Sequence, residues 1–315
     1  MAKWLIKSDE TSLPDRGKYP GARTDKELLR TGIIILDKPS GPTSHQVDAW
    51  IKQITGVSKA SHGGTLDPRV SGVLLIALEE ATKLMPILLS SRKEYVALIN
   101  LHKDAPEADV HKALERFIGK IKQLPPKKSA VARRMREREI YYLEVLEISG
   151  RNVLIKVGCE AGTYIRRLAD DLGKKLGIGA HLQELRRTRS GAFSEACAVT
   201  MQAVCDALET GRMRDVVMPM ERVADGMKAV VIRDSAVDAV CNGAPLATGG
   251  LARIEKGIER GDWTAVLTHK GELVSIGKAQ MNSSDMMRRK GVAVRTERVI
   301  MKKGTYPKSW AKADK

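Results

Sequence analysis

The segment that most constrains the fold is a glycine-rich turn that carries one carboxylate and runs into an apolar strand. Residues 62–68 read HGGTLDP, and an apolar run over residues 72–78 follows. Proline fixes its own φ and keeps the residue before it out of the helical region, while glycine allows backbone conformations closed to other residues. The pattern therefore predicts that Asp67 is held rigidly at the rim of a sheet. A turn aspartate that only caps local amides is the alternative interpretation.

Length and charge narrow the class of protein. A chain of 315 residues is too long for one typical domain, so two domains are expected. The 54 Lys and Arg residues against 38 Asp and Glu give a net charge of +16. Such a charge favours a polyanionic partner, above all nucleic acid, through counterion release. A protein that is merely basic is the alternative, and only 4% aromatic residues leave few stacking platforms for single strands.

The cysteines, histidines and apolar stretches limit which cofactors and which cellular compartment are expected. The cysteines at 159, 197, 205 and 241 form no Cys-x-x-Cys pair, and no histidine lies close enough to complete one. A structural zinc site is therefore not expected, and we predict no metal. No apolar stretch reaches the length of a membrane span, and the first residues lack a signal-peptide core. These features predict reduced thiols in a cytoplasmic protein.

Hydrophobic periodicity outlines a mixed α and β domain followed by a smaller strand-rich one. The expected strands are 32–36, 72–78, 93–102, 139–148, 152–159 and a basic strand or turn over 181–193. The expected helices are 45–55 with Ser44 as the cap, a short one from about 79, 107–118, and one beginning at Gly162-Thr163. Residues 1–30 are polar and predict an extended arm, and a boundary is expected near 220–228.

A basic segment over residues 123–138 predicts a loop on the surface. Its six cations are Lys127, Lys128, Arg133, Arg134, Arg136 and Arg138. A charge run of this kind is commonly a solvated surface, and a clamp for phosphates is the functional alternative.

The helix that begins at Gly162-Thr163 combines a regular apolar face with misplaced charge. Its apolar residues recur at helical spacing. Arg166 and Arg167 fall in its first turn, where the helix dipole disfavours cations. A residue placed against local preference hints at function. Pairing of these arginines with nearby aspartates is the alternative interpretation.

Motifs in a fixed order resemble the TruB family of pseudouridine synthases. They lie at residues 32–47, 62–78, 93–96, 162–177 and 181–191. Residues 229–300, with NGAPL at 242–246 and LVSIGKA at 273–279, resemble a PUA domain, a compact β-barrel that binds structured RNA.

The resemblance implies the fold class and the domain organisation. The class is α+β, a pseudouridine synthase fold with a central mixed, mainly antiparallel sheet flanked by helices, plus a small C-terminal β-barrel PUA domain. Residues 1–30 would be the arm, 31–224 the catalytic domain, 225–300 the PUA domain and 301–315 a basic tail.

Within the family, the chain most resembles the archaeal and eukaryotic dyskerin-type branch. The supporting features are KYPGAR at 18–23, a short connection from the segment at 124–131 to 140–147, and no Lys/Arg-rich C-terminal extension, which favours an archaeal form. That branch supplies the catalytic subunit of box H/ACA guide-RNA particles. The implied partners are guide RNA, rRNA or tRNA, a small zinc-bearing protein, a small Gly/Arg-associated β-barrel protein and a kink-turn-binding ribosomal-type protein.

The implied reaction needs one carboxylate and no cofactor. Uracil is detached from C1′ of its ribose, rotated, and rejoined through C5, with no redox change and no net hydrolysis. One carboxylate near C1′ either attacks covalently or takes a proton from the sugar. Asp67 is the expected carboxylate, and both routes stay open.

The resemblance assigns further residues to the site. Tyr95 matches the aromatic residue that stacks on uracil, and Arg166 matches the arginine that pairs with the catalytic aspartate. The residues implied around the flipped nucleotide are Lys38, His62, Tyr164 and Leu185. Tyr95 or Leu185 as plain core, and Lys38 as a solvated turn lysine, are the structural alternatives.

Other functions compatible with these residues differ in their products. A stand-alone tRNA pseudouridine-55 synthase would modify the TΨC loop without a guide. A non-catalytic RNA-binding scaffold would not need Asp67. An N-glycosylase would use similar base flipping and release free uracil.

Overall fold

The computed structural model describes residues 3–8, 11–125 and 134–308. The chain forms two compact units: unit 1 comprises residues 1–33, 77–84 and 211–315, and unit 2 comprises residues 34–76 and 85–210. In the described ranges, every helix is too short or too polar to cross a lipid bilayer.

Seventeen strands and eight helices make up the described part of the chain. The strands are β1 (Trp4–Ile6), β2 (Gly32–Lys38), β3 (Ala60–His62), β4 (Ser71–Leu78), β5 (Lys93–Leu101), β6 (Gly119–Gln123), β7 (Arg136–Ser149), β8 (Asn152–Cys159), β9 (Ala180–Ser190), β10 (Phe193–Ser194), β11 (Met218–Pro219), β12 (Lys228–Ile232), β13 (Leu246–Ala247), β14 (Leu251–Glu255), β15 (Trp263–Leu267), β16 (Leu273–Ala279) and β17 (Val292–Val299). The helices are α1 (Asp25–Thr31), α2 (Ser44–Thr55), α3 (Met85–Ser90), α4 (Glu107–Glu115), α5 (Ile165–Leu176), α6 (Met201–Glu209), α7 (Asp234–Cys241) and α8 (Ser283–Arg288).

Unit 2 is built on a mixed sheet in the order β2-β4-β9-β5-β8-β7-β6, with β3 on β4 and β10 on β9. β4 and β9 run parallel and place Gly72 opposite Arg187, whereas β9, β5, β8, β7 and β6 pair antiparallel in turn. The predicted α+β class with a mainly antiparallel sheet is therefore confirmed. The predicted strands and helices of this region appear with small shifts at their ends; α4, for example, ends at Glu115 rather than at 118.

Helix α2 begins at Ser44, the residue that was predicted to be its N-cap. Thr43 is the N-cap: its side chain accepts from Gln46 N–H, and the Gln46 side chain accepts from Thr43 N–H. This reciprocal pair satisfies two amide groups that the first turn leaves open. The prediction that Ser44 caps the helix is therefore wrong, and its hydroxyl is available for another contact.

Helix α5 packs against β9 through the predicted apolar face. Leu168, Ala169 and Leu172 are fully buried. Gly173 lies so close to β9 that a Cβ there would stand 2.1 Å from Ala180 N, so only glycine permits this approach. The helix ends at Gly177, whose φ of 71° is the left-handed conformation of a helix C-terminus.

Unit 1 contains a seven-stranded sheet in the order β1-β14-β12-β15-β16-β17-β13. Its core is a cluster of buried apolar residues from these strands and from α7 and α8. Residues 1–30, expected as an extended arm, contribute β1 at the edge of this sheet and pack Leu5 and Leu13 against its core. They also include most of α1, which begins with a capping box between Thr24 and Glu27.

Candidate active site

The predicted turn connects β3 to β4. The backbone conformation explains why glycine is needed at one position in the turn and at one position in β4. Gly64 adopts a φ of 120° and Gly72 a φ of 101°, a region that side-chain-bearing residues rarely occupy. A Cβ on Gly72 would also stand 2.2 Å from the carbonyl oxygen of Arg187 on the adjacent strand β9. The Val70 amide donates to the Asp67 carbonyl at 3.0 Å, which closes the turn around Pro68.

Hydrogen bonds from the surrounding backbone and from α2 hold this turn. The Ser44 hydroxyl, which does not cap its helix, accepts from Leu66 N–H at 2.9 Å and donates to Leu66 O at 3.1 Å. Gly63 N–H donates to Leu75 O at 2.7 Å, and Gly41 N–H donates to Pro68 O at 2.8 Å. The backbone on both sides of Asp67 is therefore fixed to strands and helices of unit 2.

Lys38 is one of two buried cations that donate hydrogen bonds to carbonyl groups of the turn and its neighbours. Its side chain is fully buried, and its ammonium donates to Pro39 O, Pro68 O and Val70 O at 2.8, 3.1 and 2.8 Å. Burial lowers the pKa of Lys38, Arg187 acts in the same direction, and the Asp67 carboxylate opposes the shift.

Arg187 is the second buried cation, with 1% of its surface exposed. Its guanidinium donates to Val73 O at 2.7 Å and to Gly64 O at 3.0 Å, so one side chain ties β4 to the turn. In the sequence, Arg187 stands out only as part of a basic stretch. Simple alternation along β9 would turn Arg187 and Arg189 to the same face, whereas an irregularity in the pairing of β9 with β5 leaves Arg187 buried and Arg189 exposed.

Asp67 presents its carboxylate from the fixed turn toward solvent. Arg166 Nη2, in the first turn of α5, donates to Asp67 Oδ2. The two side chains are 54% and 55% exposed, so the carboxylate is paired and still accessible to a ligand. The cation that the helix dipole disfavours in this position is thus matched by a carboxylate 99 residues earlier in the chain.

Tyr95 lies on β5 opposite Arg187. Only 9% of its surface is exposed. Burial raises the pKa of Tyr95, with the Asp67 carboxylate acting in the same direction and Arg187 opposing it. Its phenol is therefore neutral at physiological pH.

The other predicted residues occupy different environments. His62 is buried at the end of β3, with its Nε2 3.1 Å from Thr65 Oγ1. Tyr164 precedes α5 and is half-buried, and its backbone exchanges two hydrogen bonds with the Gln123 side chain. Leu185 is half-buried on β9, opposite Ala97 of β5.

Lys93 is a buried cation that the sequence analysis did not single out. Its ammonium donates to Leu88 O, Ser91 O and Ser91 Oγ at 3.0, 2.7 and 2.6 Å. Burial and then the charge of Arg187 lower the pKa of Lys93 to about 7. A motif match at 93–96 was the signal that drew attention to this strand without indicating burial.

The predicted basic loop is shorter than expected. Arg136 and Arg138 lie on β7, paired with β6, and Arg138 forms an ion pair with Glu160 at 3.3 Å. Assigning these two residues to a loop is therefore wrong, because strand pairing extends further than the charge pattern indicated. Arg134 is exposed just before β7. Lys127, Lys128 and Arg133 lie outside the described residues.

The residues best placed to hold a metal in the described ranges are His45, Asp48 and His62, whose donor atoms lie within 4.8 Å of one another. Asp48 Oδ2 is 2.6 Å from His62 Nδ1, a hydrogen-bond distance. The four cysteines are free thiols, with Cys159 and Cys241 buried.

Comparison with known families identifies the class of protein. Residues 52–165 match the TruB family pseudouridylate synthase N-terminal domain and residues 166–224 the tRNA pseudouridylate synthase B C-terminal domain. Residues 228–300 match the PUA domain, and residues 1–48 match the DKCLD domain. The chain belongs to the TruB family of pseudouridine synthases, isomerases that act on RNA. The predicted family and activity are confirmed.

Individual relatives match along nearly the whole chain. A probable tRNA pseudouridine synthase B of Methanopyrus kandleri is 50% identical over 314 residues, covering 97% of this chain and 93% of the relative. Its counterpart in Pyrococcus furiosus is 50% identical over 321 residues, covering 99% and 94%.

Two solved structures share the fold. One, a Cbf5-Nop10-Gar1 complex, has a TM-score of 0.89 at 49% identity and covers 98% of this chain and 96% of that chain. The other, an H/ACA RNP bound to a substrate RNA containing 2′-deoxyuridine, has a TM-score of 0.89 at 48% identity and covers 98% and 97%.

Proposed function

We propose that this pseudouridine synthase is the catalytic subunit of a box H/ACA guide-RNA particle acting on uridines in rRNA or tRNA. The observation that carries the catalytic part is the Asp67 carboxylate, exposed on a fixed turn and paired with Arg166. The assembly part is supported by similarity over 98% of the chain to a structure described as an H/ACA RNP.

In the proposed reaction, Asp67 acts at C1′ of the flipped uridine while the C1′–N1 bond breaks. It either forms a bond to C1′ or takes a proton from the sugar. Arg166 orients the carboxylate until the substrate arrives. After rotation, the C1′–C5 bond forms, C5 loses its proton and N1 gains one. Tyr95 stacks on the base, and because its phenol is neutral it can take the C5 proton only as its own proton passes to N1.

Of the residues around Asp67, one set holds the turn and another contacts the nucleotide. Lys38 sits beneath Asp67 and contributes by fixing the turn, since its ammonium is bound to three carbonyl groups. A uridine must leave its stack to reach the carboxylate. His62, Tyr164 and Leu185 accommodate it in the proposed complex.

Guide pairing reduces what the protein itself must recognise. If base pairing selects the uridine, the protein reads only shape and charge. Arg134 and the neighbouring basic residues bind phosphates, and the PUA domain at 228–300 binds the 3′ end of the guide. The proposed protein partners are the small zinc-bearing protein, the Gly/Arg-associated β-barrel protein and the kink-turn-binding protein. The proposed compartment is the cytoplasm.

The decisive experiment measures tritium release from C5-labelled uridine in RNA. Wild-type chain, Asp67→Asn and the matched control Asp170→Asn are each assembled with guide RNA and the three proteins. Asp170 is a partly exposed aspartate that pairs with Arg167 on α5. We expect wild type and Asp170→Asn to release tritium and Asp67→Asn to fall to background. Full release by Asp67→Asn contradicts the catalytic role of Asp67.

A stand-alone tRNA synthase is the second candidate, favoured by the names of the archaeal relatives. The purified chain alone on a tRNA transcript tests it. Release at the TΨC-loop uridine without guide or partners supports this activity, and release only in the assembled particle supports the guide-dependent one. Free uracil among the products indicates an N-glycosylase, and no turnover in either assay indicates a scaffold.

A further inference from the structure

We infer that Asp48 is a positioning residue of this active site. It fixes which nitrogen of His62 carries the hydrogen, and through His62 it holds the side chain of Thr65, two residues before Asp67. The inference rests on the proposed function of Asp67. All four residues belong to unit 2.

The three side chains form a continuous chain of hydrogen bonds. Asp48 lies on α2 and is 8% exposed, and its Oδ2 is 2.6 Å from His62 Nδ1. The His62 ring is 8% exposed, and its Nε2 is 3.1 Å from Thr65 Oγ1. A helix that does not carry the catalytic turn therefore reaches that turn through one imidazole.

The chemistry of the groups sets the direction of each hydrogen bond. An ionised carboxylate can only accept, so His62 Nδ1 carries the hydrogen and donates to Asp48. In a neutral imidazole the other nitrogen is then an acceptor, so the Thr65 hydroxyl donates to Nε2. The opposite tautomer would place two acceptors face to face at a separation of 2.6 Å. Asp48 thereby determines how the Thr65 hydroxyl is oriented.

Asp48 contributes little to stability beyond this contact. Its Oδ1 is buried and has no hydrogen-bond partner among the residues that the structure describes. A buried acceptor without a partner costs free energy, so Oδ1 offsets part of what the bond to His62 contributes to stability. The bond to His62 is what a carboxylate supplies here. The exposed ring of His45 meets His62 edge-on, with centroids 4.9 Å apart, and limits its rotation.

The consequence for catalysis follows from the position of Thr65 in the turn. Arg187 anchors the turn at Gly64, and Ser44 anchors it at Leu66. Thr65, itself exposed, is anchored between them through His62. Misplacement of a reacting group by about 1 Å costs up to about a hundredfold in rate. Loss of the Thr65 anchor is therefore expected to lower kcat through the position of Asp67.

The test compares four variants of the full chain in the pseudouridine assay. Asp48→Asn weakens the acceptor, Asp48→Leu removes it, Thr65→Val removes the hydroxyl and Thr65→Ser keeps it. We expect kcat to fall roughly tenfold or more in the first three, with KM for RNA unchanged. Thr65→Ser is expected to retain wild-type kcat, and Asp48→Leu/Thr65→Val to lose no more than either single variant.

A second readout is independent of activity. In the full chain with 15N-labelled histidines, at a pH where imidazole is neutral, His62, identified by loss of its signal in His62→Asn, is expected to show the Nδ1–H tautomer. Asp48→Leu is expected to shift it toward Nε2–H. An Nε2–H form in the wild type, or wild-type kcat in both Asp48 variants, overturns the inference. So does stoichiometric zinc that is lost in His45→Ala, because a metal would then occupy the place of the hydrogen.

The two readouts separate this inference from the proposed function. If Asp67→Asn remains active, the proposed function fails whatever the tautomer of His62. If Asp67→Asn is inactive and the tautomer is the opposite one, only the inference about Asp48 fails.

Discussion

The Asp67 turn and the N-terminal segment are both irregular backbone held by buried charged side chains, but the charges have opposite signs. At the turn, Lys38 and Arg187 donate to carbonyl groups. In the N-terminal segment, carboxylates accept from amide groups. Asp234 Oδ2 accepts from the amides of residues 12 and 13 at 2.8 and 2.9 Å, and Glu272 Oε1 accepts from the amide of residue 18 at 2.9 Å.

The difference shows how chemistry determines the choice of anchor. Either sign of charge can satisfy backbone groups that lack a partner in regular secondary structure. Near Asp67, however, a carboxylate anchor would repel the group that must stay ionised, whereas a cation stabilises it. The interaction of Lys38 with Asp67 has this favourable sign. The N-terminal segment carries no proposed catalytic group, so carboxylates serve equally well there.

The strongest test of this comparison is Arg187→Met. It removes two charge-assisted hydrogen bonds from a fully buried site and leaves Val73 O and Gly64 O without their donor. We expect the free energy of unfolding to fall by about 3 kcal/mol and pseudouridine formation to be lost. Urea denaturation and the tritium assay measure both effects. Arg189→Met, an exposed arginine on the same strand, is the control; equal behaviour of the two variants would remove the case for cation anchoring.

A smaller effect is expected for Lys38→Met. The ammonium makes three hydrogen bonds, but burial lowers the pKa of Lys38, so part of their free energy offsets desolvation. We expect a loss of about 2 kcal/mol in stability and a clear fall in kcat, because the carbonyl groups beside Asp67 lose their anchor. Lys52→Met, on the exposed face of α2, should leave both quantities unchanged. Full activity of Lys38→Met would indicate that the turn needs no cation.

The opposite side of the comparison is tested with Asp234→Ala. Four donors, including the hydroxyls of Thr11 and Ser12, lose their acceptor, so we expect a loss of about 1.5 kcal/mol and faster proteolysis of the first residues of the chain. The kcat of the assembled enzyme should remain at the wild-type value. Exposed Glu259, changed to Ala, is the control for stability. A fall in kcat as large as that of Lys38→Met would contradict the separation of the two kinds of anchor.

The last prediction concerns the pH dependence of stability, caused by Lys93, a further buried cation that donates to carbonyl groups. Its pKa is about 7 in the folded chain and near the ordinary 10.5 in the unfolded chain. Above pH 7 the unfolded state binds more protons, so this group makes stability rise with pH, by at most about 1.4 kcal/mol per pH unit. Below pH 7 both states are protonated, and the cost of burying the charge is fully present.

Chemical denaturation of wild type and Lys93→Met between pH 7 and 9 measures this slope. The difference in stability between the two chains should change with pH, wild type gaining relative to the variant as pH rises. Measurements stop at pH 9 because of the Cys159 thiol. Its pKa is raised from the ordinary 9.0 to about 12 in the folded chain, so above pH 9 this group makes stability fall as pH rises. Parallel pH profiles would show that the pKa of Lys93 is the same in the folded and the unfolded chain.

The sequence predicted local features well and the anchors poorly, for physical reasons. The Asp67 turn depends on Pro68 and neighbouring glycines, and α5 depends on its own periodicity, so both were accessible from nearby residues. The role of Ser44 was not, because Thr43 offers the same hydroxyl one residue earlier and a contact with Leu66 decides between them.

Burial of a cation depends even more on distant residues. Whether Lys38 is solvated or buried is decided by carbonyl groups some 30 residues later, which no local pattern reports. The N-terminal segment was expected to be extended because its residues are polar. Asp234, more than 220 residues away, supplies the acceptor that orders it.

Anchoring the catalytic turn through carbonyl groups also affects its tolerance of mutation. Every amino acid carries a carbonyl group, so Lys38, Arg187 and Ser40, whose hydroxyl donates to Arg69 O at 3.2 Å, bind the turn without regard to its side chains. The exposed side chain of Arg69 is therefore open to substitution without loosening the neighbouring Asp67. Substitutions at this position can therefore change contacts to RNA while the position of Asp67 is maintained.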